Sequence, residues 1–138
     1  MALDENKDDV PYLLGRLFAT LEHLQAKALG DINATIRDRF FGAASATPVA
    51  VFPRLLRVSV HHAAKLESNY LEKLKSSIVG KLPAQSFPAV MNLEQQGLFA
   101  IGYYHQSQSY FMRRDAAEDE PAYESAEPTD IETEGADQ

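Results

Sequence analysis

The last 24 residues of the chain limit what it can fold into. Residues 115–138 contain ten Asp and Glu, no Lys or Arg, and a single aromatic residue, Tyr123. A segment this acidic and this poor in large apolar side chains buries too little surface to offset the entropy lost on ordering, so we expect it to be disordered. The foldable part, residues 10–114, is long enough for one domain with a modest core.

The same boundary separates two regions of opposite charge. The whole chain has a net charge of -7 at pH 7. Residues 10–114, however, hold twelve Lys and Arg against six Asp and Glu, a net charge of +6. Because charge acts regionally on association, the basic body keeps a polyanion among the candidate partners despite the acidic average.

Apolar residues in the body recur at helical spacing, and no stretch alternates with a period of two. A first helix is predicted over residues 11–29, with these residues on its buried face: Leu13, Leu14, Leu17, Phe18, Leu21, Leu24 and Ala28. A line of small residues beside that face lets another helix approach closely: Gly15, Ala19 and Ala26. The predicted fold class is all-α, a compact bundle of four to five helices.

Capping residues and prolines divide the rest of the body into further helices. Asp31 is predicted to cap a short helix that runs from Ile32 to about Phe41 and ends at Gly42. Thr47-Pro48 begins the next helix in the usual order of cap and proline. Pro53 either kinks that helix or marks its true start.

A long amphipathic segment, residues 54–79, is predicted as one continuous helix. Its buried side is expected to hold Leu55, Leu56, Val60, Ala63, Leu66, Tyr70, Leu74 and Ile78. The sequence Gly80-Lys81-Leu82-Pro83 ends it, and residues 86–91 form a loop. Asn92 and Gln95 then have the pattern of a capping box and begin a last helix that reaches about Met112.

The predicted organisation is thus a flexible N-terminus over residues 1–9, a helical bundle domain over residues 10–114, and an acidic tail over residues 115–138. The last helix is rich in aromatic residues. Phe99, Tyr103 and Phe111 have the spacing of core residues, whereas Tyr104 or Tyr110 is open to a second interpretation, stacking on an unpaired base.

Signals for catalysis are weak. The chain has no cysteine, no Gly-rich phosphate loop and no His-Glu-x-x-His motif. His61 and His62 are neighbours, which point about 100° apart on a helix and so do not chelate one ion. We expect no enzyme activity, no cofactor and no metal. No apolar run is long enough to span a bilayer, so we expect a cytoplasmic chain with no membrane partner. We also expect no small-molecule substrate.

The positive signal is a stripe of cations. Arg54, Arg57, His61 and Lys65 lie within about 80° of one another on a helix, opposite the apolar side. Lys75 falls near the edge of this stripe, which Glu72 interrupts. Six residues are candidates for binding nucleic acid: Arg37, Arg39, Arg54, Arg57, Lys65 and Lys75. The stripe is either an ordinary solvated face or a track for a phosphate backbone, which needs repeated cations.

Several sequence strings resemble a known family. They are YLLGRLFA over residues 12–19, GDINATIRDRFFG over 30–42, SATP over 45–48, VFPRLLR over 51–57 and QQGLFAIGYYHQ over 95–106. Together they are similar to the C-terminal helical region of the large subunit of type I-C CRISPR Cascade complexes. The resemblance covers about residues 11–111, nearly the whole foldable body.

The resemblance implies a function. In that family the same gene is also read from an internal start to give a separate small subunit, and the chain is similar to that product, although a truncated fragment would look the same. Such subunits line the guide RNA–target DNA heteroduplex and stabilise the R-loop by holding the displaced non-target strand. The implied partners are the large subunit, the backbone subunits, further copies of the chain and these nucleic acids. No nuclease activity is implied.

A rival interpretation is a structural module that bridges Cascade subunits without direct nucleic-acid contact. It would use the line of small residues and the aromatic helix as protein interfaces. The resemblance assigns no individual DNA contact, so the six candidate residues depend on charge and spacing alone.

Overall fold

The structure, a computed structural model, describes residues 2–30 and 36–119. Within these ranges it contains helices and no strand, which confirms the all-α class. The helices are α1 Val10–Leu29, α2 Ile36–Ala46, α3 Pro48–Ala64, α4 Tyr70–Gly80 and α5 Leu93–Asp119, with a short 3-10 turn at Pro83–Gln85. None of the described helices is long and apolar enough to cross a membrane.

The chain forms two compact units that divide within α5, the first ending at Ser107 and the second beginning at Gln108. The first unit contains α1 to α4 and most of the aromatic part of α5. The second begins with the continuation of that helix, in which Phe111 is 61% exposed. The prediction that Phe111 is a core residue is therefore wrong.

Helix α1 is the centre of the first unit. Its residues from Pro11 to Leu21 are all buried, so it has no solvated side along three turns. It packs against α2, α3 and α4. Such all-round burial is typical of a helix that other helices enclose, and the predicted apolar face is only part of its buried surface.

The fourth neighbour of α1 is α5, and the two backbones meet at glycines. A Cβ atom on Gly15 would overlap the carbonyl oxygen of Phe99 and lie 2.7 Å from the backbone nitrogen of Tyr103. A Cβ atom on Gly102 would overlap the carbonyl oxygen of Tyr12. The prediction that Gly15 lets another helix approach closely is thus confirmed, and that helix is α5.

Aromatic rings fill the space between the helices. Phe18 on α1 makes edge-on contacts with Phe41 and Phe52, at centroid distances of 5.5 and 6.4 Å. Phe99 on α5 lies 5.9 Å from Phe18. Phe52 also stacks on Phe87 from the following loop, with ring planes only 7° apart. These contacts join α1, α2, α3 and α5 into one core.

The prediction of one helix over residues 54–79 is wrong, because the chain leaves the helix between Ala64 and Tyr70. Ser and Asn side chains compete with helical hydrogen bonds, and here the Ser68 hydroxyl oxygen accepts a hydrogen bond from the Tyr70 backbone nitrogen at 3.2 Å. The break separates two apolar patterns that look continuous in the sequence. Val60, expected in the core, lies before the break and is 58% exposed.

Other residues of this segment also differ from the expected core. Tyr70 was expected to be buried and is 41% exposed, whereas Ser59 and His62, which were not expected in the core, are buried. Leu55 and Ile78 are buried as predicted. The expected burial thus holds at the two ends of the segment and fails around its centre.

The predicted helix starts fare better. Helix α3 begins at Pro48 as expected, and Pro53 lies inside it. The capping box before α5 is present, since Asn92 and Gln95 each donate a backbone N–H to the other's side-chain oxygen, both at 2.8 Å. These local signals act within a few residues, so tertiary packing does not override them.

Two predicted helix ends are too early. Helix α2 continues past Gly42 to Ala46, because the residues after the glycine are mostly Ala, which favours helix. Helix α5 extends to Asp119 rather than Met112, into the segment predicted as a tail. The predicted cap at Asp31 and the tail from residue 120 onward lie outside the described residues.

Candidate nucleic-acid interface

Helix α3 and its C-terminal cap residue, Lys65, present a row of basic residues to solvent. Arg54, Arg57, His61 and Lys65, which we call the cationic face, are all exposed. Their positions along the helix span about 16 Å at 1.5 Å per residue. The two ion pairs that the structure describes, Lys7–Asp9 and Lys75–Glu72, do not involve this face. Its positive charge is therefore available to a partner.

The cationic face is joined to α2 through one aromatic ring. Phe40, which is half-buried, has the Arg39 guanidinium carbon 5.7 Å from its ring centroid and the Arg54 guanidinium carbon 5.6 Å away. Both distances fall within the range of a cation–π interaction. We call these three residues the α2–α3 corner. Because only Thr47 separates the two helices, the corner brings together cations that are 15 residues apart.

A second cation–aromatic group connects α2 to α5. The Arg37 guanidinium carbon lies 5.6 Å from the ring centroid of Phe41, 5.4 Å from that of Tyr103 and 5.7 Å from that of Tyr104. Arg37 Nη2 also donates a hydrogen bond to the Tyr104 hydroxyl at 2.9 Å. We call these four residues the Arg37 aromatic cluster. Both Arg37 and Tyr104 are exposed, so the cluster lies at the surface.

The two tyrosines of this cluster have different environments. Tyr103 is 4% exposed and its hydroxyl donates to Glu22 Oε1 at 2.6 Å. Burial raises the pKa of the Tyr103 phenol, and the hydrogen bond to the Glu22 carboxylate raises it further. Tyr103 is thus a neutral structural residue that holds α5 against α1. Tyr104, by contrast, is 51% exposed.

Lys75 does not belong to the cationic surface. It is 7% exposed, its ammonium group lies 2.8 Å from Glu72 Oε1, and it donates a hydrogen bond to Ser59 Oγ at 3.0 Å. The expectation that Lys75 lies at the edge of an exposed stripe is wrong, because the break before α4 changes the direction of its side chain relative to α3. Glu72 pairs with Lys75 and does not interrupt the cationic face.

The two histidines, His61 and His62, also differ in their exposure to solvent. His61 is exposed, whereas His62 is 6% exposed and its Nδ1 has no hydrogen-bond partner among the residues that the structure describes. Burial lowers the pKa of His62, and the nearby charges of Lys65 and His61 lower it further. Over residues 2–30 and 36–112, no group of three or more His, Asp or Glu is arranged to hold a metal ion.

The surface at the helix break has a different character. A cavity of about 240 Å³ opens there, and its lining includes Leu24, Val60, Leu66, Glu67 and Glu72. The lining residues are apolar, polar or acidic, so this part of the surface differs in charge from the cationic face.

Sequence reasoning identified five of the surface cations but not the rings between them. Phe40 was not a candidate, although its position beside Arg39 in the sequence Arg37-Asp38-Arg39-Phe40-Phe41 is a local signal. Of the two tyrosines considered for stacking, the structure exposes Tyr104, whereas Tyr110 is 8% exposed.

The sequence model of the family described as CRISPR-associated protein (Cas_Csd1) matches residues 1–111. The match covers all four helices of the first unit that precede α5 and the part of α5 that packs against α1. A comparison with curated protein sequences gives no match. The family match covers most of the chain and agrees with the resemblance to a Cascade protein, so the chain belongs to the CRISPR-associated Cas_Csd1 family.

Proposed function

We propose that the chain is a non-catalytic small subunit of a type I-C CRISPR Cascade complex that stabilises the R-loop by binding the displaced DNA strand. The observation that carries this proposal is the exposed run of Arg39, Arg54, Arg57 and Lys65, none of which is neutralised by an ion pair with a described residue. The family match supplies the CRISPR context.

The chemistry of this surface suits a phosphate backbone. Its cations are repeated along one helix, and Arg binds phosphate oxygens through two parallel hydrogen bonds. Contacts of this kind hold any sequence, which is what a subunit that follows a displaced strand requires. Because R-loop formation is nearly balanced in free energy, a few such contacts to the freed strand shift it toward the open state.

The proposal places the chain in the cytoplasm among the other Cascade subunits. The guide RNA–target DNA heteroduplex and further copies of the chain are its expected neighbours. DNA cleavage is assigned to another component, since the chemistry found on the cationic face is binding rather than acid–base catalysis.

The salt dependence of single-stranded DNA binding tests this proposal. The triple variant Arg54→Glu, Arg57→Glu, Lys65→Glu should bind more weakly than the parent. Its plot of log affinity against log salt concentration should also have a slope smaller by about 2, because about 0.7 counterions per lost phosphate contact are no longer released. Fluorescence anisotropy over a salt series measures both quantities.

A charge-matched control distinguishes the effect of the cationic face on binding from the effect of net charge. Lys27, Lys73 and Lys81 are exposed residues of other elements, and their triple change to Glu alters the net charge equally. This control should retain most of the affinity. Equal losses in the two triple variants would contradict the assignment to the cationic face.

A bridging role without DNA contact has one observation in its favour. Val49, Val90 and Leu93 are 47%, 71% and 83% exposed. Val49 lies near the loop that contains Val90, since its backbone N–H donates to the carbonyl of Pro88 at 3.0 Å, and Leu93 follows that loop as the first residue of α5. This role would leave the isolated chain unable to bind DNA at low salt, and Leu93→Glu would then weaken its binding to other subunits.

One of the two interfaces first expected for a bridging role, the line of small residues, is not available. Gly15 and Ala19 are buried where α1 meets α5, so the line of small residues does not face a partner protein there. The expectation that this line is an exposed protein interface is wrong.

A further inference from the structure

We propose that the acidic end of the chain, residues 120–138, docks on the cationic face and competes with nucleic acid for it. The part assigned to this contact is Asp130-Ile131-Glu132-Thr133-Glu134, which we call the acidic motif. This inference rests on the proposed function and deepens it, because it names a regulator of the same surface.

The end of the chain carries charge of one sign only. Residues 120–138 follow Asp119, the last residue of α5, and lie beyond the described residues. The family match ends at residue 111, so the resemblance to Cascade proteins assigns this segment no role. It contains no Lys or Arg and seven acidic residues, which are Glu120, Glu124, Glu127, Asp130, Glu132, Glu134 and Asp137.

The cationic face lacks a carboxylate partner within the described part of the chain. Its residues are exposed, and the ion pairs Lys7–Asp9 and Lys75–Glu72 do not involve them. Arg54 and Arg57 are three residues apart on one helix and therefore repel each other. An anion that docks between them relieves this repulsion, and the chain itself carries a surplus of carboxylates, since its net charge is -7.

The spacing of the charges in the acidic motif fits that of the cationic face. Successive residues of the face are three or four positions apart, which places them about 4.5 to 6 Å apart along the helix axis. In an extended chain, alternate side chains lie on the same side at intervals of about 6.6 Å. The three carboxylates of the acidic motif alternate in this way. An extended segment can therefore pair its carboxylates with successive cations of the face.

The segment is also long enough for this contact. The 19 residues after Asp119 span up to about 65 Å when extended, about four times the length of the cationic face. Because the segment belongs to the same chain, its effective concentration at the face is on the order of millimolar. Free nucleic acid at a lower concentration must displace it.

Other exposed basic residues are poorer targets. Lys27, Lys73 and Lys81 are exposed, but they lie on or next to different helices and do not form a row. Lys81 Nζ also donates a hydrogen bond to the backbone carbonyl of Glu5 at 2.6 Å. A single exposed ion pair contributes little to binding, whereas several cations in a row hold several carboxylates at once.

The contact would make the surface selective for DNA that the complex presents. Carboxylates and phosphates use the same cations, so the apparent affinity for DNA falls in proportion to the fraction of chains whose face is free. In a Cascade complex the displaced strand is itself held close to the subunit, and its effective concentration offsets that of the segment. Free nucleic acid has no such advantage.

The first test neutralises the acidic end in the full chain. The neutral-end variant carries Asp130→Asn, Glu132→Gln, Glu134→Gln and Asp137→Asn. If the segment covers the face in about nine chains of ten, this variant should bind an oligodeoxythymidine of about 12 nucleotides about tenfold more tightly than the parent at low salt. Fluorescence anisotropy measures the affinity.

A control variant changes the net charge equally at the other end of the chain. It neutralises four exposed acidic residues, through Asp4→Asn, Glu5→Gln, Asp8→Asn and Asp9→Asn. Its affinity should stay within about twofold of the parent, since exposed charges at a distance are screened by salt. Circular dichroism of each variant checks that the helices are intact.

The dependence on salt gives a second readout. In the parent, phosphates replace carboxylates on the cations, so fewer counterions are released than from a free face. The plot of log affinity against log salt concentration should therefore be steeper for the neutral-end variant, by about 2 if three carboxylates are displaced. The two chains should bind equally at high salt, where the segment no longer holds the face.

Chemical coupling locates the contact directly. A carbodiimide joins a carboxylate to a lysine amine that touches it, and Lys65 is the lysine of the cationic face. We expect Lys65 to be joined to residues 115–138, which form one tryptic peptide because no Lys or Arg follows Arg114. Added oligodeoxythymidine should reduce this product. In a mixture of isotope-labelled and unlabelled parent, each product should carry a single label.

Contrary results overturn the inference in distinguishable ways. If the parent and the neutral-end variant bind the oligonucleotide equally well with a steep salt dependence, the docking is wrong and the proposed function survives. Equal gains in the neutral-end and control variants would assign the effect to net charge and refute it, as would coupling products that combine both labels. If neither chain binds the oligonucleotide at low salt, the proposed function fails together with this inference.

Discussion

At the scale of single residues, burial decides which charged groups can act. Arg16 lies on the first helix among other polar residues in the helical projection, yet it is 2% exposed and its Nε donates to Gln106 at 2.9 Å. Its Nη1 is buried and has no hydrogen-bond partner within the described part of the chain. Lys75 is likewise buried, against Glu72 and Ser59. A helical projection does not reveal these positions, because they depend on packing between helices.

His62 gives a prediction for the dependence of stability on pH. Because its pKa in the folded state lies below the ordinary value of 6.5, the unfolded chain binds its proton more readily. The stabilisation from neutral His62 is complete above pH 6.5 and is lost as the pH falls from 6.5 toward the lower folded pKa. The free energy of unfolding should therefore decrease over this range, by at most about 1.4 kcal/mol per pH unit for one proton.

Urea unfolding between about pH 7.5 and 5.5 measures this slope. His62→Gln should reduce the dependence of the free energy of unfolding on pH. If this variant showed the same slope as the parent, the buried histidine would not be the source.

At the scale of helices, the contact between α1 and α5 is the most constrained feature of the fold. Gly15→Ala should destabilise the protein by about 1–3 kcal/mol or more, because the added carbon overlaps the backbone of Phe99 and neither helix can yield locally. Chemical denaturation followed by circular dichroism reports the free energy of unfolding.

Gly97 supplies a control for this substitution. It lies in α5 with nothing within 4 Å of an added Cβ, so Gly97→Ala should stabilise the helix by up to about 1 kcal/mol. Opposite effects of the same Gly→Ala change at the two positions would show that the loss at Gly15 comes from the contact between the helices. Stabilisation by Gly15→Ala would mean that the helices do not pack as described.

Helix starts could be predicted from the sequence because they depend on neighbouring residues. Pro48 and the Asn92–Gln95 capping box are examples. The break between α3 and α4 was missed because Leu66 and Tyr70 continue the apolar period across it, while the hydrogen bond from Tyr70 to Ser68 that accompanies it is visible only in the structure. Periodicity alone does not distinguish one long helix from two short ones.

The candidate site was predictable to a similar extent. The exposure of Arg54, Arg57 and Lys65 follows from their spacing within one helix and is observed. The contact between Arg37 and Tyr104 joins residues 67 positions apart, so it depends on how α2 packs beside α5. No local pattern predicts such a contact.

At the scale of the whole molecule, the proposed function depends on the difference between the positive net charge of the body and the negative net charge of the whole chain. The body has a net charge of +6, and the cations that the structure exposes on α2 and α3 are its most concentrated part. We propose that these cations hold the displaced strand, and the family match supports a CRISPR-associated role for the chain.

The most direct test measures the lifetime of the R-loop in a reconstituted Cascade complex at physiological salt. With the variant Arg54→Glu, Arg57→Glu, Lys65→Glu, the R-loop should collapse faster than with the parent, and the displaced strand should become more sensitive to a single-strand-specific nuclease. The complex that carries the charge-matched changes at Lys27, Lys73 and Lys81 should behave like the parent. An R-loop of unchanged lifetime and unchanged protection in the first variant would contradict the account.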